Sequence, residues 1–155
     1  MPVIVSIAMI VHILSAVVWV GGMFFALIVL RPASRVLEPG VRFELWVRAL
    51  KRFFAWVIAA IVLLLVSGYT MVFSIFGGFA GTPFYVNAMM GIGIVMMLLF
   101  FHIYFAPFGR LRSAVPRRDF TAAGKQLNQI RWLVTVGLTL GLITIAVASG
   151  GPYWG

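Results

Sequence analysis

Four runs of nearly unbroken apolar residues, at about 3–30, 53–76, 85–107 and 131–149, dominate this 155-residue sequence. Each reaches the roughly 20 residues that carry a helix across a hydrocarbon layer. In lipid, the backbone of such a run must satisfy its own N–H and C=O groups, which a helix does. The expected fold is all-α: one integral membrane domain over residues 1–155, built as a four-helix bundle. Composition agrees, with 63% hydrophobic and 10% charged residues. A soluble domain carries about 25% charged residues, and a disordered chain has low hydrophobicity. The first run is longer than a signal-peptide core and follows no basic segment, so it is expected to be a retained helix.

The charges sort to one side. Arg31, Arg35, Arg42, Arg48, Lys51 and Arg52 separate runs one and two, and Arg110, Arg112, Arg117, Arg118, Lys125 and Arg131 separate runs three and four. These are all twelve basic residues, and the three acids, Glu38, Glu44 and Asp119, share the same two loops. With four spans, both loops fall on one membrane face, and the positive-inside rule assigns that face to the cytoplasm. The expectation is a multi-pass protein of the bacterial inner membrane, with both termini and the 77–83 turn outside. The net charge of +9 then reads as a topology signal. Anionic lipids of the cytoplasmic leaflet are the expected partner, at about 1 kcal/mol per basic residue near the surface. Nucleic acid is not, because the charges flank spans and form no aromatic-interleaved basic face. Phe43, Trp46, Val47 and Leu50 recur at helical spacing, which suggests a short interfacial helix over Phe43–Arg52 leading into run two. Asp119 is placed to cap a second one through Gln129. Trp132, Tyr85, Tyr153 and Trp154 fall near membrane boundaries, where amphipathic rings anchor.

Few reactive groups remain for the interior. There is no cysteine, which removes disulfides, thiolate metal sites and cysteine nucleophiles. Paired carboxylates and hard-cation cages are hard to build from three loop acids, and no catalytic residue stands out. In the first run His12, Ser15, Ala16, Trp19, Gly22, Met23 and Ala26 recur every three or four residues. They form one stripe of small or polar groups expected to face the bundle, while Leu14, Val18, Phe25 and Leu27 suit lipid. Gly137-x-x-x-Gly141 marks a second close-packing face.

His12 lies about nine residues inside its run, where an ionisable side chain calls for a partner or ligand. Metal or haem ligation, proton transfer, and a neutral imidazole hydrogen-bonded to a serine or carbonyl are all open. His102 stands eight residues before Arg110, where capping a carbonyl is the plain alternative. At 1.5 Å per residue the two histidines differ in depth by roughly 10 Å, so two separate sites are expected rather than one shared iron. His12 is level with Met9, Ser67, Met71, Asn87, Met89 and Met90, and His102 with Met23. Methionine thioethers serve copper(I) and haem iron, although core packing is their ordinary role. Haem propionates want cations, which Arg31, Arg52, Arg110 and Arg131 offer on the inner side. The candidate set for haem b is His12, His102, Met23, Met89, Met90, Arg110 and Arg131; for copper(I) it is His12, Met9, Met71, Met89 and Met90. Haem-linked electron transfer is the first functional expectation, copper(I) transport or binding the second, and an accessory subunit, with a homo-oligomer open, the third.

The stretch from His12 through Trp19 to Gly21 and Gly22 resembles the first-helix signature of CopD-family membrane proteins. Arg52-Phe-Phe-Ala-Trp56, closing on Ser67-Gly68-Tyr69, is similar to the next helix of its small members, and Phe101-His102-x-Tyr104 and Ile130-Arg131 fit the later part. The resemblance implies copper handling across the inner membrane, often with a periplasmic copper chaperone. A more distant likeness is to HemJ-type, haem-b-associated oxidases, whose first-helix histidine and tryptophan match His12 and Trp19. Their third-helix histidine matches His102. A methionine, at about Met89, stands where those proteins carry lysine, so this likeness implies haem held by His12 with Met89 or Met90 rather than the oxidase reaction.

Overall fold

The computed structural model describes residues 2–154, and the described chain carries four helices long and apolar enough to cross a membrane. Helix α1 (Pro2–Phe24) continues through a π-helical stretch, Phe25–Leu30, a turn at Arg31–Ala33 and a 3-10 turn at Ser34–Val36. Pro32 supplies the physical cause of the widening. It has no N–H to donate, and its ring would collide with the carbonyl of Ile28. A wider turn passes this obstacle without breaking the helix.

Helix α2 spans Pro39–Phe76. Proline at its first position loses no hydrogen bond, and it stops at Gly77, whose φ of 69° suits a residue without Cβ. Helix α3 spans Phe84–Phe105 and α4 spans Pro107–Ala114. They are separated at Ala106, where φ is −99° and ψ is −89°, because a residue before proline avoids the α region. Helix α5 spans Phe120–Gly150, followed by a 3-10 turn at Gly151–Tyr153. Asp119 caps α5 by accepting from the Ala122 N–H at 3.1 Å.

Two features at the arginine-bearing end depart from the expected layout. The Phe43–Arg52 stretch is helical, but it is the first part of α2 and not a separate interfacial helix. Its apolar face is covered: Phe43, Trp46 and Leu50 are buried, Phe43 stacks on Phe120 with centroids 5.7 Å apart, and Trp46 Nε1 donates to Ser34 Oγ at 3.1 Å. Likewise, Asp119 begins not a short helix ending at Gln129 but the whole of α5. Both helices project beyond the apolar runs, and α4 packs along α5 with Phe108 and Leu111 fully buried.

The bundle is assembled from two antiparallel pairs, α1 with α2 and α3 with α5, joined mainly by α1 against α5. Between helices in lipid, van der Waals fit replaces the hydrophobic drive. The α1 stripe behaves as its spacing suggests: Ser15, Trp19 and Met23 are buried and His12, Ala16, Gly22 and Ala26 half-buried, while Leu14, Val18 and Phe25 are exposed. Leu27 is the exception. It is half-buried, because it stands four residues after Met23 and so falls on the same face as Ser15, Trp19 and Met23. On α5 both glycines are buried. A Cβ on Gly137 would lie 3.2 Å from Met23 Sδ and 3.7 Å from Leu99, and one on Gly141 2.9 Å from Val20 and 3.3 Å from Met96. The glycine groove therefore receives side chains from α1 on one flank and α3 on the other.

Aromatic rings fill the centre. Phe54 meets Phe100 edge-on at 5.3 Å and Phe108 at 4.9 Å, and Trp19 meets Phe100 at 6.3 Å. Such pairs add about 0.5–1.5 kcal/mol each beyond the area they bury.

Candidate functional site

The polar centre of α1 is His12, and its partner is on α2. Ser67, buried in the α1–α2 interface, donates its single hydroxyl hydrogen to the Leu63 carbonyl at 2.6 Å. The Ser67 oxygen is thus left to accept from His12 Nδ1–H at 2.9 Å. With the hydroxyl hydrogen committed in this way, Nδ1–H is the tautomer that satisfies the pair, and the Leu64 carbonyl is a further backbone acceptor beside the ring. The next residue tightens the seat: a Cβ on Gly68 would lie 3.3 Å from His12 Cε1. One turn beyond Ser67, toward the end of the bundle that carries the termini, Met71 is also buried.

The other candidates divide between several places. Met9, one turn before His12, is on the exposed side of α1. Met89 and Met90 are half-buried near the start of α3, whose main partner is α5. Met23 is buried at the far side of Trp19, with its sulfur against Gly137. His102 is exposed on the outer surface of α3, in a stretch shared with Leu98, Phe101 and Phe105. The two imidazoles therefore face different surroundings, His12 toward α2 and His102 away from the bundle. No group of three or more His, Cys, Asp or Glu side chains converges among the described residues. A donor set of imidazole and thioether would suit a soft ion.

The arginine-bearing end holds a cavity of about 280 Å³ between the end of the first span, the start of α2 and α5. Arg31, Arg35, Arg42 and Arg131 line it together with Ser34, Asn128 and apolar side chains. Sequence spacing does not bring these four together, because Arg42 and Arg131 lie 89 positions apart. Arg110, grouped with Arg131 as a propionate partner from sequence, is exposed and reaches Gln126 at 3.3 Å. Arg52 is exposed as well.

Does haem b fit these residues? The bundle centre, lined by Trp19, Met23, Phe54, Met96 and Phe100 among others, keeps a void of about 20 Å³. That is room for about one water, whereas cofactor pockets run to about 300–1,000 Å³. The larger cavity has arginines for propionates but neither histidine in its lining. His102, the expected inner ligand, points away from both. The residues present do not form a haem pocket inside the bundle.

Fold and site together define a small polytopic membrane protein with one imidazole held by a serine toward one end and a cluster of arginines at the other. Residues 47–150 match the family model for copper resistance protein D, CopD, about two thirds of the chain. The protein belongs to the CopD family, whose membership indicates a copper-related membrane function. The matched segment includes Ser67, Gly68, Met71 and all of α3, and begins after α1. No curated protein and no solved structure matches the chain. The first-helix motif seen in the sequence nonetheless meets the matched segment physically. His12 sits on Ser67 and Gly68, and a Cβ on Gly22 would fall within the Phe53 ring.

Proposed function

We propose that the protein captures copper(I) between α1 and α2, near the end of the bundle that carries the termini, and that this end faces the periplasm of a bacterial inner membrane. His12 Nε2 is the proposed nitrogen donor, and the buried Met71 thioether, one turn beyond Ser67 on α2, is the proposed sulfur donor. Met9 lies one turn outward on α1, and Met89 and Met90 offer further soft donors at the same end on α3. Copper(I) is the cargo here, and a periplasmic copper chaperone is the proposed source.

The observation that carries this reading is the His12–Ser67 hydrogen bond. Metal-ligating histidines almost always donate their other ring N–H to an oxygen, which fixes the tautomer and the direction of the free lone pair. The same bond would serve a merely structural histidine. The thioethers at that depth, and family membership, favour the metal. Capture suits the fold better than an open pore, because the aromatic centre is closed and the opposite end concentrates positive charge, which repels a cation.

The test is a copper(I) titration of the detergent-purified protein against a chromogenic chelator under reducing conditions. About one equivalent is expected, lost in His12→Ala and weakened in Met71→Leu, with Met97→Leu as a packing control. Equal affinity in wild type and His12→Ala, both monodisperse, would refute the reading.

A further inference from the structure

The arginine cavity plays no part in the copper site, and its chemistry is specific. Four arginines, Arg31, Arg35, Arg42 and Arg131, share one lining that contains no carboxylate; the guanidinium groups of Arg42 and Arg131 stand over the rings of Phe43 and Trp132, at 5.2 and 5.1 Å. Among the described residues the one ion pair is Arg48 with Glu44, on the exposed side of α2. The four arginines therefore gather without a protein counter-charge, and Arg31 is repelled by both Arg131 and Arg35. Like charges brought together at the edge of a low-dielectric body are unfavourable unless an anion completes them. Guanidinium forks match phosphate oxygens in bidentate geometry.

The remainder of the lining tells which phosphate. Ala26, Leu27, Leu50, Phe53 and Val134 make an apolar wall, continuous through Phe53 and Val134 with the bundle interior. Arg31 and Arg131 stand at the boundaries of the first and fourth apolar runs, the level of lipid headgroups. Cationic rim, apolar wall and headgroup depth together fit an amphiphile rather than a free ion. We propose that this cavity binds the phosphate headgroup of an anionic phospholipid from the leaflet on the arginine side, with an acyl chain along the Leu27–Phe53–Val134 wall. Basic pockets between spans are the usual form of such sites. The site joins the long extension of α2 to α1 and α5, so the bound lipid would brace the part of the bundle outside the hydrocarbon.

The experiment uses the full chain, delipidated in a neutral detergent. Thermal unfolding and native mass spectrometry are followed while adding cardiolipin, phosphatidylglycerol, phosphatidylcholine or inorganic phosphate. Cardiolipin and phosphatidylglycerol are expected to raise Tm by a few degrees and to leave a retained lipid adduct, and phosphatidylcholine to do neither. Arg31→Gln/Arg131→Gln should lose both effects, while Arg117→Gln/Lys125→Gln, on the same face but outside the cavity, should keep them. Without lipid, the cavity variant should be no less stable than wild type, because repulsion has been removed; a purely structural role for the arginines requires it to be less stable. Equal loss in the two double variants would overturn the proposal in favour of diffuse surface attraction. A Tm rise from inorganic phosphate equal to that from lipid would overturn it in favour of a soluble anion, and an equal rise from phosphatidylcholine would overturn the charge argument.

Discussion

Ser67→Ala isolates the geometry on which the copper reading rests, because it deletes one oxygen and leaves His12 and every thioether in place. In the native protein that oxygen accepts from His12 Nδ1–H at 2.9 Å while donating to Leu63 at 2.6 Å. Alanine removes the acceptor. The imidazole is then free to rotate or to take the other tautomer, so the Nε2 lone pair is no longer held in one direction. Loss of such an orienting partner costs about 10–100-fold in metal affinity, or about 1.4–2.8 kcal/mol. Fold stability should fall by less, about 0.5–1.5 kcal/mol, the ordinary net worth of one hydrogen bond. Chelator competition measures the first quantity and thermal unfolding without copper the second. Ser67→Thr retains the hydroxyl and should recover most of the affinity. Copper(I) affinity unchanged in Ser67→Ala would refute the claim that this bond orients a ligand.

Other substitutions probe the surroundings of His12, the helix packing and the topology. Gly68→Ala places a methyl 3.3 Å from His12 Cε1 and should weaken copper binding with little change in stability, read in the same two assays. Gly141→Val forces side-chain bulk between Val20 and Met96 and should cost about 1–3 kcal/mol of overpacking, measured by unfolding in detergent; an unchanged Tm would show that the α5 groove is loose. Asp119→Ala removes the α5 cap and should cost about 0.5–2 kcal/mol while copper affinity stays constant. For topology, reporter fusions after Gly155 should report periplasm and fusions near Gly40 cytoplasm, and the opposite pattern would reverse the membrane face assigned to the copper site.

Periodicity and charge make much of the architecture readable from the sequence. The four spans, the arginine-bearing end, the α1 stripe through Ser15, Trp19 and Met23, and the glycine pair on α5 all follow from local spacing. Local spacing was also where the reading stopped short. The first helix continues past Pro32 by widening, and Leu27, apolar enough for lipid, falls on the buried stripe because it stands four residues after Met23. The polar stretch after Pro39 looked like a helix lying on the membrane because its covering surface, Phe120 and the end of the first span, comes from distant parts of the chain. The same limitation applies to the site. Ser67 was recognisable as level with His12, but depth along a helix does not tell which flank a side chain takes, so Met89, Met90 and His102 entered the candidate set beside Met71. The cavity lined by Arg31, Arg35, Arg42 and Arg131 was not legible at all, since three segments must fold together to form it. The concentration of basic charge without acidic partners was the available signal, and topology alone accounted for it.

X-ray absorption spectroscopy at the copper edge, on protein loaded with one equivalent of copper(I), reads the proposed ligands themselves. A mixed shell, with an imidazole scattering pattern and at least one sulfur, is expected in wild type. In His12→Ala the imidazole contribution should disappear, and in Met71→Leu the sulfur contribution should fall. A shell that is the same in wild type and in folded His12→Ala, or a wild-type protein that retains no copper(I), would contradict the copper reading.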